Sequence, residues 1–100
     1  MAKKEIIWSR RAKKEFQDVL DFYLERNGTP TYSIRLLQET EQLIDFLKDN
    51  NFLGRLSENK VTRVIVKDYF LVFYEIQENQ IDIVSYWDNR QNPEKRVDKK

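Results

Sequence analysis

Two arginines are the residues of this sequence whose positions most suit chemistry. Arg63 lies in the first of three β-prone runs, and Arg90 follows the third. A planar guanidinium can hold a phosphate through two parallel hydrogen bonds, so both cations could brace an anionic group. The chain has no cysteine and no histidine. Thiolate chemistry is therefore excluded, no metal site or cofactor is expected, and a general acid or base must be Asp, Glu, Lys or Tyr.

The net charge of +1 conceals a segregation of charge along the chain. Residues 1–14, 51–67 and 89–100 are predominantly basic, whereas residues 15–50 and 68–88 are predominantly acidic. If the basic segments converge in the fold, they form a cationic face that suits an anionic partner. On composition alone the simpler alternative is favoured, in which charged helices and tails solvate a small core.

Length and composition predict one small domain. Apolar residues make up 40% of the 100 positions and charged residues 35%, which indicates a modest core inside a heavily charged shell. No apolar run is long enough to cross a membrane and no signal-peptide pattern is present, so the cytoplasm is the expected location. The domain is placed over residues 1–93, and the charged tail, residues 94–100, is expected to fray.

Three predicted strands position the two arginines. The runs Val61–Val66, Tyr69–Ile76 and Gln80–Trp87 are rich in Val, Ile, Tyr and Phe, which favour sheets. The breaks between them are two and three residues long, so hairpins join them into an antiparallel meander. Tyr69–Ile76 is largely apolar on both faces, which indicates a strand in the interior of the sheet.

A helical hairpin is predicted before these strands. Lys4–Trp8 is β-prone, and Ser9 suits the N-cap of a helix that runs from Arg10 to about Arg26. A second amphipathic helix is predicted from Pro30 to about Lys48. The order β-α-α-β-β-β predicts an α+β fold, with the helical hairpin packed on a small, mainly antiparallel sheet.

The connections between these elements carry their own signals. Gly28 suits the left-handed stop of the first helix, and Thr29 and Pro30 suit the N-cap and first position of the second. Residues 49–60 are predicted to be a loop returning to the sheet. Its apolar side chains are expected to tuck under the sheet; they are Phe52, Leu53 and Leu56.

Several of these features occur together in one family. They are Trp8-Ser9 at the end of the first strand, Phe52-Leu53-Gly54-Arg55 in the loop, Arg63 opening a strand, Phe73-Tyr74, and Trp87-Asp88-Asn89-Arg90-Gln91-Asn92-Pro93. In this order and at this length, the chain resembles the RelE/ParE superfamily of toxins from type II toxin–antitoxin modules, the plasmid-stabilisation class. The resemblance implies a toxin that arrests growth and is neutralised by a cognate antitoxin, which wraps an amphipathic or extended segment over its surface.

The resemblance leaves the target open. RelE-like members are mRNA endonucleases that act on the ribosome, whereas ParE-like members poison DNA gyrase. Arg63 followed by Val64–Val66 is closer to the ParE-like strand than to the Lys/Arg-dense RelE-like one, so a protein target is slightly favoured. The ribosome-dependent endonuclease and a degenerate toxin that only binds antitoxin remain alternatives. The oligomeric state is not indicated.

If the chain is an enzyme, it is a metal-independent endoribonuclease. Such a site must take a proton from the 2′-hydroxyl, stabilise the phosphorane and protonate the leaving oxygen. Under this interpretation the resemblance assigns the work to Arg63, Arg90, Lys60 and Tyr86. The sequence departs from the family here, because it has no histidine and no tyrosine after Tyr86. Tyr86 could serve only if the strand end bends.

The binding interpretation uses other residues as well. The candidates are Arg55, Trp87, Arg10, Arg11 and Lys14. The cations at the start of the first helix oppose its dipole, which is a weak indication that they meet phosphate or an acidic partner. Tyr86 and Trp87 must lie on opposite faces of a strand, so at least one is expected to be exposed.

Both arginines also have purely structural interpretations. Arg63 could pair with Glu75 or Asp82 across strands, and Arg90 could be a solvated loop arginine.

Overall fold

The computed structural model describes residues 4–98. Its elements are β1 (Glu5–Trp8), α1 (Arg10–Asn27), α2 (Thr31–Leu47), β2 (Arg55–Leu56), β3 (Arg63–Lys67), β4 (Phe70–Ile76), β5 (Gln80–Asp88) and a 3-10 turn (Pro93–Lys95). The α+β class and the order of the helices and main strands are confirmed. The predicted loop over residues 49–60 contains the additional strand β2, whose two residues are too few to show alternation.

The five strands form one mixed sheet in the order β1-β5-β4-β3-β2. β3, β4 and β5 are antiparallel neighbours, as predicted, and β1 adds to β5 in parallel. β4 lies at the centre. Between β4 and β5 the pairing shifts, because Phe73 faces Ser85 whereas Tyr74 faces Ile83. The bulge leaves Val84 without an opposite residue and sets the faces that the rest of β5 presents.

Local chemistry explains where the helices begin and end. The Ser9 hydroxyl accepts a hydrogen bond from the Ala12 amide at 3.0 Å, which caps α1 as predicted. Gly28 has φ +71°, the left-handed conformation expected of it. The prediction that Thr29 caps α2 is wrong. Pro30 has ψ 0°, outside the helical range, so it precedes the helix and no side chain caps it.

The helical hairpin covers one face of the sheet. The buried core beneath it consists of Ala12, Phe16, Tyr23, Leu36, Ile44, Leu47, Phe70, Val72, Tyr74, Ile81, Ile83 and Tyr86. An ion pair also ties α2 to β3, because Lys67 Nζ lies 2.6 Å from Glu39 Oε1. That hydrogen bond raises the pKa of Lys67, so the ammonium group keeps its charge at neutral pH.

A second, smaller apolar cluster lies on the opposite face of the sheet. It consists of Val64, Leu71, Phe73 and Trp87, with Val97 packed against it. The guanidinium of Arg96 lies 5.4 Å from the ring centre of Phe73, and the guanidinium of Arg11 lies 5.9 Å from the ring centre of Trp87. The segment predicted to fray thus lies against the sheet as far as residue 98. Residues 99–100 are outside the described part.

Tyr86 and Trp87 lie on opposite faces, as predicted, but neither is exposed. Tyr86 is 1% exposed and Trp87 is 4% exposed. The expectation that at least one would be accessible is wrong, because the chain after β5 returns over the second face and covers Trp87.

The apolar residues of the 49–60 segment do not tuck under the sheet. Phe52 is 72% exposed, and Leu53 and Leu56 are also exposed. The space beneath the loop is taken by Tyr74, whose hydroxyl donates to the Asn51 carbonyl at 2.7 Å and accepts from the Gly54 amide at 2.8 Å.

The buried tyrosine of β5 gives the fold a test at high pH. Tyr86 Oη lies 3.1 Å from Thr40 Oγ1, and burial raises the pKa of Tyr86 to about 12 from a usual 10.0. Between these values the unfolded chain has lost the phenolic proton and the folded chain keeps it. Stability from Tyr86 is therefore fully present below pH 10 and is lost as the pH rises to 12.

The free energy of unfolding is expected to fall between these pH values. We expect this fall to be smaller in Tyr86→Phe than in the wild type, by on the order of 2 kcal/mol. Urea unfolding below pH 10 and near pH 12 measures the fall in each variant. Tyr69→Phe, at an exposed position, is the matched control. An equal alkaline fall in wild type and Tyr86→Phe would contradict the prediction.

Candidate functional site

The structure places Arg63 and Arg90 at opposite ends of the sheet. Arg63 pairs with Tyr74 on the central strand, whereas Asp88 pairs with Phe70. These two rungs are four residues apart, or about 13 Å along the strand. Arg90 lies beyond Asp88, farther still from Arg63. The two cations that the sequence singles out are therefore not brought together around one group.

Arg63 holds the loop that precedes β2. Its Nη1 donates to the Gly54 carbonyl at 2.8 Å, and its guanidinium lies 4.9 Å from the ring centre of Phe52. The cross-strand pairing considered above does not form. Glu75 instead accepts from the Thr62 hydroxyl at 3.0 Å, and Asp82 accepts from the side-chain Nε2 of Gln80 at 2.6 Å. Arg63 is thus committed to a backbone carbonyl and an aromatic ring.

The two other cations near Arg63 are exposed. Arg55 lies in β2, and Lys60 lies in the turn between β2 and β3 with φ +63°. Exposed apolar side chains accompany them; these are Phe52, Leu53, Leu56 and Val61. This end of the sheet therefore offers a surface that is both cationic and apolar.

Tyr86, the candidate proton-transfer residue, lies in the core. Its ring packs 4.4 Å from that of Phe16 and 5.4 Å from that of Phe70, centre to centre. Its hydroxyl is paired with Thr40, and its raised pKa keeps it a neutral phenol at physiological pH. The bulge in β5 precedes Tyr86 and does not turn it outwards. This geometry does not present its hydroxyl to a bound phosphate.

Arg90 is held rigidly but remains half-exposed. Its Nε donates to Asp88 Oδ1 at 2.9 Å, and its Nη2 donates to Asp88 Oδ2 at 2.7 Å and to the Tyr23 hydroxyl at 2.9 Å. Its guanidinium also lies 5.5 Å from the ring centre of Tyr69. The hydrogen bonds from Arg90 lower the pKa of Asp88, so the pair stays ionised. Nη1 has no hydrogen-bond partner within residues 4–98.

A cleft of about 370 Å³ opens beside this arginine. We call it the Arg90 cleft. The residues that line it are Glu15, Asp18, Val19, Phe22, Tyr23, Tyr86, Asp88, Arg90 and Gln91. Phe22 was not among the residues predicted from the sequence. A signal was present, because Phe22 is aromatic, is 52% exposed and lies outside the apolar stripe of α1, which consists of Ala12, Phe16, Val19, Leu20, Tyr23 and Leu24.

The cations at the start of α1 are mostly neutralised within the helix. Arg11 contacts Glu15 at 3.3 Å and donates to the Lys95 carbonyl at 3.1 Å, and Lys14 contacts Asp18 at 3.0 Å. Arg10 is exposed. Trp87, the proposed aromatic binding residue, is covered by Arg11 and the tail. Of these four candidates Trp87 is buried, whereas Arg10, Lys14 and Arg11, whose side chain is 41% exposed, remain accessible.

Within residues 4–98, no cluster of three or more Asp or Glu side chains could hold a metal ion. No helix there combines the length and apolarity that a membrane span requires.

Comparison with known proteins gives one family and one fold. Residues 6–93 match the family model described as the ParE toxin of the type II toxin–antitoxin system parDE. A solved structure titled "Chromosomal ParDE TA system from P. aeruginosa" is similar, with a TM-score of 0.72 and 20% identity over 84% of this chain and 94% of that one. At this identity the likeness shows the fold alone. Among curated proteins, none matches this chain.

The loop that Arg63 holds leaves no room for a side chain at Gly54. A Cβ atom there would lie 2.8 Å from Tyr74 Cε1 and 2.9 Å from the Val64 carbonyl oxygen. We expect Gly54→Ala to lower the free energy of unfolding by about 1–3 kcal/mol and to shift the ring signals of Tyr74 in NMR spectra.

Gly28→Ala is the control for this prediction. It is strained by its left-handed backbone but meets nothing within 4 Å, so it should leave the ring signals of Tyr74 in place. Unchanged stability and unchanged Tyr74 signals in Gly54→Ala would contradict the close packing of this loop.

Proposed function

Because this chain belongs to the ParE toxin family of type II toxin–antitoxin systems, we propose that it arrests growth by binding and inhibiting a protein target, with DNA gyrase the first candidate. Its other partner is a cognate antitoxin. The observation that carries the proposal is the separation of Arg63 from Arg90, together with the burial of Tyr86.

RNA cleavage without a metal needs several groups around one phosphodiester. A base, an acid and a cation that stabilises the phosphorane must all lie within hydrogen-bond reach of the reacting atoms. In this chain Arg63 and Lys60 belong to the β2–β3 end, Arg90 belongs to the other end, and Tyr86 is internal. The arrangement supports inhibition by binding, which requires no such convergence.

The exposed side chains are those that protein interfaces favour. Arginine and aromatic residues are enriched among the residues that contribute most to protein–protein binding. Each end of the sheet carries such a pair, with Arg63 against Phe52 and Arg90 against Tyr69. Both rings are largely exposed, at 72% and 63%. These pairs give the toxin two separate contact points for a protein surface.

The first test follows cells that express the chain alone. We expect growth arrest with intact ribosome-bound mRNA and induced DNA damage. Purified chain should also inhibit supercoiling by purified gyrase. Cuts mapped within translated codons would indicate a ribonuclease instead. The double variant Arg63→Ala, Arg90→Ala would establish it by losing these cuts while keeping its affinity for the antitoxin. Absence of arrest would indicate a chain that only binds antitoxin.

Independent contact points also predict additive mutational effects. Distant residues that share no partner change a binding free energy additively, to within about 0.5 kcal/mol, whereas members of one catalytic centre are strongly non-additive. We therefore expect Arg63→Ala and Arg90→Ala to weaken inhibition independently. The concentration for half-inhibition of gyrase, measured for both single variants and the double variant, gives the coupling energy.

Lys48→Ala is the control for this measurement, because Lys48 pairs with Asp45 at the end of α2 and belongs to neither arginine–ring pair. It should leave the concentration for half-inhibition unchanged. If the double variant inhibits gyrase no less strongly than the less inhibitory single variant, the two arginines act as one site. That result would contradict the proposal.

A further inference from the structure

We propose that the Arg90 cleft is where the toxin binds its protein target, and that it receives an apolar side chain with a neighbouring lysine or arginine from that target. The inference rests on the proposed function and names the chemistry of the segment recognised. Three features of the cleft support it, namely the rigidity of Arg90, the exposed apolar surface and the charge of the lining.

Arg90 is organised before any partner arrives. Three hydrogen bonds, two to Asp88 and one to Tyr23, fix its guanidinium, and the ring of Tyr69 lies against it. Only Nη1 remains without a partner within the described residues, and Arg90 lines the cleft. A side chain already held in place loses little conformational entropy on binding. Nη1 is therefore suited to donate to a backbone carbonyl of a bound segment.

The apolar surface of the cleft comes from α1. Val19 and Phe22 line it, and the ring of Phe22 meets that of Tyr23 edge-on at 5.1 Å between centres. Phe22 is 52% exposed, because the cleft of about 370 Å³ that it lines is open. That volume is at the small end of ligand pockets, so it suits one large apolar side chain of a peptide segment. Filling it would remove Phe22 from water.

The charge of the lining selects the kind of segment. Glu15, Asp18 and Asp88 contribute three carboxylates against the single guanidinium of Arg90. Two cations outside the lining also reach its carboxylates. Arg11 pairs with Glu15 at 3.3 Å, and Lys14 pairs with Asp18 at 3.0 Å, where both side chains are largely exposed and therefore bind each other weakly. A phosphate backbone would meet this negative lining unfavourably. A lysine or arginine beside the apolar anchor would instead replace Lys14 at Asp18.

The direct test selects peptides on the intact 100-residue chain. A phage-displayed library of short random peptides is panned on the folded protein, and the enriched peptide is titrated into ¹⁵N-labelled toxin. We expect enriched sequences to combine an apolar side chain with lysine or arginine and to shift the amides of Val19, Phe22, Tyr23 and Arg90. Enrichment of acidic sequences, or shifts confined to other surfaces, would overturn the proposal.

Matched variants separate the cleft from general effects of exposure and charge. Phe22→Ala and Asp18→Lys should each weaken the peptide by about tenfold or more. Phe46→Ala is the control for Phe22, because Phe46 is 54% exposed on α2. Asp45→Lys is the control for Asp18, because Asp45 is also a helical carboxylate paired with a lysine, Lys48, which directly follows α2. Equal losses in variants and controls would overturn the proposal.

A competition experiment distinguishes failure of this inference from failure of the proposed function. The selected peptide, at saturation, should relieve inhibition of gyrase by the toxin. If the toxin inhibits gyrase fully while the cleft is occupied, the target binds elsewhere, and inhibition of a protein still stands. If the wild-type chain cuts translated mRNA and spares gyrase, the proposed function fails, and the inferred target of the cleft fails with it.

Discussion

The fold depends on a central strand that is apolar on both faces. β4 lies in the middle of the sheet, and both of its faces must be kept from water. The helical hairpin covers one face and makes the main core. Within residues 4–98 the other face has no second layer of secondary structure, so the segment after β5 and the start of α1 cover it. The charged C-terminal residues through Asp98 are thus part of the packing of this domain.

This constraint explains which features could be predicted from the sequence. The central position of β4, the start of α1 after Ser9 and the left-handed Gly28 each depend on a local pattern, and the structure has all three. The burial of Trp87 could not be predicted, because it depends on residues 96–98 returning to a face that strand alternation alone shows as apolar. The two-residue strand β2 was likewise too short to leave a periodic signal.

The candidate residues were predictable as types but not in their relations to one another. The sequence places Arg63 and Arg90 beside strands, but no local sequence pattern predicts that they lie at opposite ends of β4. Their partners are equally non-local, because Arg63 contacts the Gly54 carbonyl and Arg90 contacts Tyr23 of α1. A binding role for Phe22 could not be predicted from the sequence, because it depends on the cleft that lies beside Phe22 in the fold.

Two arginines on this fold therefore have different roles because their neighbours differ. A fold can support cleavage or binding equally well, and the choice lies in the surroundings of particular side chains. Arg63 is used to hold a loop whose apolar side chains remain exposed to solvent, on a cationic surface. Arg90 is held among carboxylates and aromatic rings. A phosphate would be attracted at the first end and opposed by carboxylates at the second, so a single polyanion spanning both ends is disfavoured. A protein surface with acidic and basic regions of its own can match both.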